Sequence, residues 1–380
     1  MEILTVPQGS FKLARYPLRN KETLRAWDAA DEYLLQQIEE YQLPSSSQLL
    51  ICNDNFGALT TALERYHPSM LSDSYIAQQA TSANLKENQI ETDNIKLLDS
   101  LSLPYPTQGE QFDLVIIKIT KSLAQLEDQL HRIRPVIGPE TRVIAGGMAK
   151  GIHTSTLNLF EKILGPTKTS LARKKARLIF SQYDPQLTVP KNSYPKCFLL
   201  DNSQYTICNH ANVFSRDKLD IGTRFFIQHM PADSRYQNIV DLGCGNGIVG
   251  LIAADANPDA KITFVDESYM AVASAKDNFE RAFPQRNAEY AVTDCLQKIP
   301  SGSADLILNN PPFHQQTTIG DFIAWQMFKE SKQVLKAGGE LWVIGNRHLN
   351  YHNKLKRLFG NCQTVASNKK FVILKVIKQS

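Results

Sequence analysis

The chain has 380 residues, of which 42% are hydrophobic, and its formal net charge is +4 at pH 7. This length and apolar content exclude a disordered chain and predict two globular domains, while so mild a charge excludes no class of partner. No stretch reaches the roughly 18 apolar residues that a membrane span needs, and the N-terminus lacks a signal-peptide core, so we expect a cytoplasmic protein.

The six cysteines are scattered along the chain, at Cys52, Cys197, Cys208, Cys244, Cys295 and Cys362. None belongs to a Cys-x-x-Cys pair or to a cluster of cysteine and histidine with ligand spacing. The pattern predicts no bound metal and no disulfide framework, and we expect reduced, mostly buried thiols.

Short apolar runs alternate with helical patterns in both halves of the chain. Residues 48–52 are followed by a helical pattern over 59–66, and residues 239–242 by one over 248–254. This alternation predicts α/β domains with parallel sheets and helices on both faces.

A proline-rich segment separates the two halves. Pro185, Pro190 and Pro195 each discourage helix, so we place a domain boundary here and expect domains over residues 1–190 and 191–380. Two β-prone runs around residues 201–204 predict a hairpin that leads into the second domain.

The two halves share a sparse pattern of identical residues. Four residues recur 194 positions later: Ser74, Tyr75, Ala77 and Asn84 match Ser268, Tyr269, Ala271 and Asn278. Gly57 likewise matches Gly247 at an offset of 190, and Asp113 matches Asp305 at an offset of 192. Coincidence remains an alternative, but the order and the near-constant offset indicate two copies of one fold.

A glycine-rich turn follows the predicted strand at residues 239–242. Gly243, Gly245 and Gly247 permit a tight strand-to-helix turn and let the backbone approach a ligand. The same glycines fit a dinucleotide site, so NAD is the competing interpretation. Asp241 favours S-adenosylmethionine, because its carboxylate suits an ammonium group and would repel a pyrophosphate.

Three more residues are predicted to contact the cofactor. Asp266 ends the next strand and is placed to accept hydrogen bonds from both ribose hydroxyls. Asp294 follows a third strand and is expected to accept from the adenine amino group, with a helix cap as the alternative. Phe214 lies in a segment, residues 209–223, that is typical of a cover over a cofactor, although a core position is the other interpretation.

The strongest signal is Asn310-Pro311-Pro312-Phe313 at the end of a buried strand. Two consecutive prolines stop sheet pairing and hold Asn310 extended. The Asn310 side-chain oxygen and the Pro311 carbonyl can each accept one N–H of an exocyclic amine and so point its lone pair at a methyl donor. Phe313 is predicted to stack on a flipped base. We expect these four residues to be catalytic and Asn310 also to contact the cofactor.

Basic residues predict an RNA-contacting surface. Lys118 and Lys121 of the first half stand where the second half has Asn310 and Phe313, and lysine suits phosphate. Further candidates lie in basic runs without acidic neighbours in the sequence: Arg173, Lys174, Lys175, Arg347, Lys354 and Lys356. A solvated helix face is the alternative for such runs.

With these motifs in place, the chain resembles a known family. The blocks VFSRDKLDIG, VDLGCGNG, FVDES, NPPFHQQ and GNRHLNYHNKLKRLFGNC resemble the RlmG-type bacterial 23S rRNA guanine-N2 methyltransferases and, more loosely, the RsmC-type small-subunit enzymes. The resemblance implies two tandem Rossmann-like class I methyltransferase domains with seven-stranded sheets, the N-terminal one degenerate. It also implies S-adenosyl-L-methionine as cofactor, 23S rRNA as partner and N2-methylguanine as product.

Two alternatives to this function remain at the sequence level. Similar Asn-Pro-Pro-aromatic loops occur in protein-glutamine methyltransferases and in enzymes that methylate other nucleic-acid amines. An RNA-binding ribosome-assembly factor with a vestigial cofactor pocket is the other class, which intact Asp241, Gly243 and Asn310 argue against. We expect the protein to act as a monomer.

Overall fold

The computed structural model of the chain describes residues 2–18, 22–103, 111–312 and 318–379. The chain divides into two compact units, Met1–Tyr194 and Pro195–Ser380. The division falls inside the proline-rich segment.

The first unit begins with a hairpin and continues as alternating strands and helices. Its strands are β1 Glu2–Val6, β2 Gly9–Leu13, β3 Leu49–Cys52, β4 Ser69–Ser72, β5 Lys96–Asp99, β6 Leu114–Lys118, β7 Arg142–Met148, β8 Thr167–Thr169 and β9 Ala176–Ser181. Its α-helices are α1 Ala29–Glu39, α2 Ala58–Ala62, α3 Tyr75–Glu87, α4 Leu123–Ile133 and α5 Thr154–Ile163. Three short 3₁₀ turns lie at Glu64–Tyr66, Arg134–Val136 and Ala149–Gly151 within the described residues.

Within the described part of this unit, seven strands form one sheet in the order β5-β4-β3-β6-β7-β9-β8. The first five strands of that order run parallel, and β9 is antiparallel to both of its neighbours. The interior strand β3 is buried on both faces: Leu49 and Ile51 pack into one core, Leu50 and Cys52 into the other. A strand that is covered by helices on both faces has a continuous run of apolar residues in its sequence, and β3 has one, Leu-Leu-Ile-Cys.

The second unit repeats this plan. Its strands are β10 Lys196–Leu199, β11 Thr206–Asn209, β12 Asn238–Leu242, β13 Lys261–Asp266, β14 Ala288–Val292, β15 Ala304–Asn309, β16 Leu335–Asn346, β17 Gln363–Ser367 and β18 Phe371–Ile377. Its α-helices are α6 Ile221–Ile227, α7 Ile248–Ala256, α8 Tyr269–Ala282, α9 Thr318–Val334 and α10 Tyr351–Phe359, with a 3₁₀ turn at Arg347–Leu349.

The sheet of the second unit has the order β14-β13-β12-β15-β16-β18-β17, which is the order of the first sheet strand for strand. Its β18 is again antiparallel to both neighbours. Dinucleotide-binding folds of the 3-2-1-4-5-6 type lack such an inserted antiparallel strand, so the topology disfavours the NAD interpretation. The predicted α/β class and the shared fold of the two halves are confirmed.

Matching residues of the two halves hold matching structural positions. Ser74 and Ser268 are the N-caps of α3 and α8, and each hydroxyl accepts a backbone N–H at 3.1 Å. Gly57 and Gly247 precede α2 and α7 with φ of 79° and 80°. The sparse sequence matches therefore mark equivalent positions in two copies of one fold.

The hairpin predicted near residues 201–204 is present as β10 and β11. Cys197 and Cys208 lie directly opposite each other in it and form a disulfide. The expectation of reduced thiols is wrong for this pair, because the register of the hairpin brings the two side chains together. No helix in the described residues is long and apolar enough to cross a membrane.

Candidate functional site

The glycine turn and the Asn-Pro-Pro loop meet at one edge of the second sheet. Strands β12 and β15 are parallel neighbours, and Leu242 pairs with Asn309 at their carboxyl ends. The next residues, Gly243 and Asn310, therefore leave the sheet side by side. A Cβ on Gly243 would lie 3.9 Å from the Asn310 carbonyl oxygen. Two motifs 60 to 70 residues apart in sequence thus form one site.

The glycines of the turn serve two different purposes. Gly243, Gly245 and Gly247 all have positive φ, at 72°, 53° and 80°, which side chains rarely adopt. A Cβ on Gly247 would lie 2.8 Å from the Ala275 Cβ, so this glycine lets α7 and α8 pack. A Cβ on Gly245 would meet nothing within 4 Å among the described atoms, so open space lies in front of this part of the turn.

Asp241 is buried beneath the turn, with 2% of its surface exposed. Its carboxylate accepts a hydrogen bond from the Gly250 N–H at 2.8 Å. Burial raises the pKa of Asp241 to about 7, and the carboxylate of Asp266 adds to the shift. A buried carboxyl in this state gains most from a cation placed beside it.

Asp266 and Asp294 lie at the carboxyl ends of the next two strands of the sheet, β13 and β14. Asp266 ends β13 and accepts hydrogen bonds from the Gly245 N–H at 3.0 Å and the Ser268 N–H at 3.1 Å. Asp294 lies two residues beyond β14 and accepts from the side-chain amides of Gln297 and Gln326 at 3.1 and 3.0 Å. Both carboxylates thus stand at the same edge of the sheet as the glycine turn.

Asn310 is held by its amide nitrogen and offers its amide oxygen. The Nδ2 donates to the Thr223 Oγ1 at 3.1 Å. The Oδ1 is buried and has no hydrogen-bond partner among the described residues. A buried acceptor without a partner is costly, and it belongs to the residue that leaves the sheet next to Gly243. Sequence reasoning missed Thr223 as Asn310's partner, although Asp220-x-x-Thr223 has the pattern of a helix N-cap.

The two prolines of the loop differ in burial. Pro311 is buried and Pro312 is exposed. Phe313 lies outside the described residues. Phe214 is 52% exposed, which excludes the core alternative for it.

The equivalent edge of the first unit is closed by its own side chains. Asn53, with φ of 64°, stands at the position of Gly243, and Ser72 stands at that of Asp266. The Asp54 carboxylate accepts from the backbone N–H groups of Gly57, Ala58 and Thr60 at 2.8 to 3.0 Å. The first unit thus has an acidic side chain at the start of α2, at the position that Cys244 holds in the second unit.

Lys118 occupies the position of Asn310 and is 6% exposed. Its Nζ lies 2.9 Å from an Asp28 oxygen and 2.7 Å from an Asp31 oxygen. Burial would lower the pKa of Lys118, but the two aspartates outweigh it and hold the pKa above its usual value. The prediction that Lys118 contacts RNA is wrong, because its charge is buried and neutralised within the unit.

The other basic candidates are mostly at the surface. Exposed are Lys121, Arg173, Lys174, Lys175, Arg347 and Lys356. Lys174 nevertheless pairs with Glu32 at 2.8 Å, so its run does have an acidic neighbour in space. Lys354 is half-buried, with its Nζ 5.6 Å from the centre of the Tyr351 ring. Among the described residues, no cluster of histidine, cysteine and carboxylate side chains could hold a metal.

Comparison with known proteins identifies the family of the chain. Two family models match the chain: the RLMG N-terminal domain over residues 1–185 and the methyltransferase small domain over residues 204–375. The ribosomal RNA large subunit methyltransferase G of Aeromonas salmonicida (strain A449) is 52% identical over 371 residues, which cover 97% of both chains. That of Streptomyces avermitilis is 48% identical over 381 residues, covering 99% of both.

Among solved structures, the T. thermophilus 16S rRNA N2 methyltransferase RsmC, in complex with AdoMet and guanosine, superposes with a TM-score of 0.75 at 19% identity, covering 100% of this chain and 98% of its own. At that identity the likeness shows the fold. Sheet order, glycine turn and Asn-Pro-Pro loop together define a methyltransferase of the class I fold. The chain belongs to the ribosomal RNA large subunit methyltransferase G family.

Proposed function

We propose that the chain transfers a methyl group from S-adenosylmethionine to the exocyclic N2 amine of a guanine in 23S rRNA, and that the second unit does so. The observation that carries this proposal is the Asn310 Oδ1, a buried acceptor without a described partner, on a residue whose backbone lies next to Gly243 of the glycine turn. The name shared by the relatives supports large-subunit rRNA as substrate. The N2 chemistry of the solved neighbour supports guanine N2.

The cofactor's ends match the side chains around the turn. Asp241 would neutralise the ammonium group, Asp266 would accept from the ribose hydroxyls, and Asp294 would accept from the adenine amino group. The open space in front of Gly245 leaves room for the cofactor, and Phe214 would cover the bound cofactor. S-adenosylmethionine supplies a methyl group on a cationic sulfur. The buried carboxylate of Asp241, with that of Asp266 close to it, favours a cation over a pyrophosphate.

Asn310 and Pro311 would orient the amine of the substrate. The N2 lone pair of guanine is delocalised into the ring, so the amine is a poor nucleophile. Asn310 Oδ1 and the Pro311 carbonyl would each accept one N–H, turning the lone pair toward the methyl carbon and stabilising the positive charge that develops on nitrogen. The nitrogen–carbon bond forms as the carbon–sulfur bond breaks, the electron pair stays with sulfur, and the extra proton leaves to water.

The first unit would bind RNA and leave the methyl donor to the second. Its exposed Lys121, Arg173 and Lys175 suit phosphate. A cavity of about 490 Å³ in this unit has Arg15 and Arg25 in its wall. Both arginines are paired with acids of the same unit, Arg15 with Glu22 at 3.8 Å and Arg25 with Glu32 at 3.5 Å, so the proposal rests on the exposed Lys121, Arg173 and Lys175. Arg347, Lys354 and Lys356 would add contacts from the second unit.

We place the division of labour at residues 1–190 and 191–380, and we expect a cytoplasmic monomer. Bacterial rRNA is made in the cytoplasm, and one chain supplies every residue assigned to the site. Light scattering of the purified protein with and without RNA tests the monomer.

The function is tested with rRNA from cells that lack the gene. Purified protein and S-adenosylmethionine are incubated with the separated 16S and 23S rRNAs, and the digested nucleosides are identified by mass spectrometry. We expect N2-methylguanosine in 23S rRNA alone. Methylated adenine, methylation of 16S rRNA, or transfer to protein in place of RNA would each overturn the assignment.

A further inference from the structure

Three side chains around the Asn310 amide form a connected set. Asp220 is the N-cap of α6, and its Oδ2 accepts from the Thr223 N–H at 2.9 Å and lies 3.4 Å from the Thr223 Oγ1. The Thr223 Oγ1 in turn lies 3.1 Å from the Asn310 Nδ2. Asp220 and Thr223 thus connect α6 to the end of β15.

The direction of each hydrogen bond in this set follows from chemistry. A carboxylate only accepts, so in the long contact of 3.4 Å between the Thr223 hydroxyl and Asp220 the hydroxyl is the donor. The Thr223 oxygen then has only lone pairs to offer Asn310, and the amide must turn its NH₂ toward them. Its Oδ1 is consequently directed to the other side, where it has no partner among the described residues.

We infer that Thr223, itself held by Asp220, is a positioning residue that fixes the Asn310 amide with its oxygen toward the substrate amine. The inference rests on the proposed function for what the oxygen accepts. With the amide turned over, an NH₂ would face the amine, donor against donor. The Asp220–Thr223–Asn310 set therefore selects a substrate that brings N–H donors to this point and disfavours one that presents a carbonyl oxygen.

The first unit uses the same three positions in a different way. Asp28 is the N-cap of α1, Asp31 is its third residue, and Lys118 ends β6, as Asp220, Thr223 and Asn310 stand to α6 and β15. There the Lys118 Nζ donates to both acids. Side-chain contacts join these three positions in both units. In the first unit the residue at the strand end is a lysine, which can donate but cannot accept a hydrogen bond from a substrate amine.

Thr223→Val tests the inference. Valine keeps the shape of the side chain and the backbone N–H that donates to Asp220, but it removes the hydroxyl. We expect single-turnover methyl transfer to slow by about 10², the scale of a small misplacement of a reacting group, with cofactor affinity unchanged. Thr223→Ser should restore the rate. Thr263→Val, which removes a hydroxyl on β13 of the same unit, should match the wild type. A Thr223→Val enzyme as fast as the wild type overturns the inference.

A second readout does not depend on activity. The Asn310 side-chain NH₂ signals of the full-length protein, assigned by their absence in Asn310→Asp, should shift and exchange faster in Thr223→Val but stay in place in Thr223→Ser. Unchanged signals in Thr223→Val overturn the positioning role whatever the enzyme does. A wild-type protein that transfers no methyl group to guanine would instead count against the proposed function, while the NMR result would still decide the role of Thr223.

Discussion

Asn84 and Asn278 make the same three hydrogen bonds in their own units. The Asn84 amide bonds the N–H and the carbonyl of Ala14 and the carbonyl of Phe56, at 2.7 to 2.9 Å. The Asn278 amide bonds the N–H and the carbonyl of Cys208 and the carbonyl of Asn246, also at 2.7 to 2.9 Å. Each asparagine ties its unit's hairpin to the residue before the glycine that starts the next helix.

Removing either amide should loosen its own unit and no other. Asn278→Ala leaves buried backbone groups unpaired, so we expect a loss of about 1–3 kcal/mol in the second unit and weaker binding of S-adenosylmethionine. Asn84→Ala should cost a similar amount in the first unit and leave cofactor affinity as it was. Hydrogen exchange of residues 49–62 and 238–256, with calorimetric titration, checks both. Equal loss of cofactor affinity in the two variants would contradict the assignment of the site to the second unit.

Cofactor affinity should depend on pH through Asp241. Burial and then Asp266 raise its pKa to about 7, and an ammonium group beside it would favour the ionised form and lower the pKa in the complex. Affinity is therefore complete above pH 7 and falls by up to about tenfold per unit below it, because binding must release a proton. Titration calorimetry in two buffers of different ionisation heat counts that proton. Asp241→Asn should bind more weakly by roughly 1.5–3 kcal/mol and lose the pH dependence; a wild-type affinity that ignores pH would count against this contact.

RNA binding should depend on the exposed basic residues of the first unit. Changing Lys121, Arg173 and Lys175 together to alanine should lower the slope of log affinity against log salt by about two to three in magnitude, at ~0.7 to 0.9 per phosphate contact. Cofactor affinity should not change.

The matched control removes the same charge elsewhere on the unit. Lys12, Lys86 and Lys96 are also exposed, and their joint replacement by alanine should leave the salt slope near that of the wild type. If both triple variants behave alike, the first unit does not bind RNA through the residues named here.

The sequence predicted most of the fold because its strands are buried on both faces and stand out as apolar runs. The runs at residues 239–242 and 48–52 became β12 and β3 with one residue of difference at their starts. The glycine turn and the Asn-Pro-Pro loop could be placed together, since parallel strands present their carboxyl ends at one edge.

What failed depends on contacts between residues far apart in the chain. The sequence predicts a phosphate ligand at Lys118, but in the fold Asp28, 90 residues away, pairs with it. Thr223 and Asn310 are separated by 87 residues, and only the fold joins them. The disulfide was missed for a different reason: a hairpin was predicted, but its register, which sets Cys197 opposite Cys208, follows from details of the turn that the sequence pattern leaves open.

Asn310 of the second unit is proposed to orient the amine that is methylated. Asn310→Ala should slow single-turnover transfer to 23S rRNA by about 10² to 10³, the usual scale for losing one contact that stabilises the transition state. Its dissociation constant for S-adenosylmethionine, measured by calorimetry on the same preparation, should stay close to that of the wild type. Collapse of cofactor affinity with an unchanged single-turnover rate at saturation would contradict this role of Asn310.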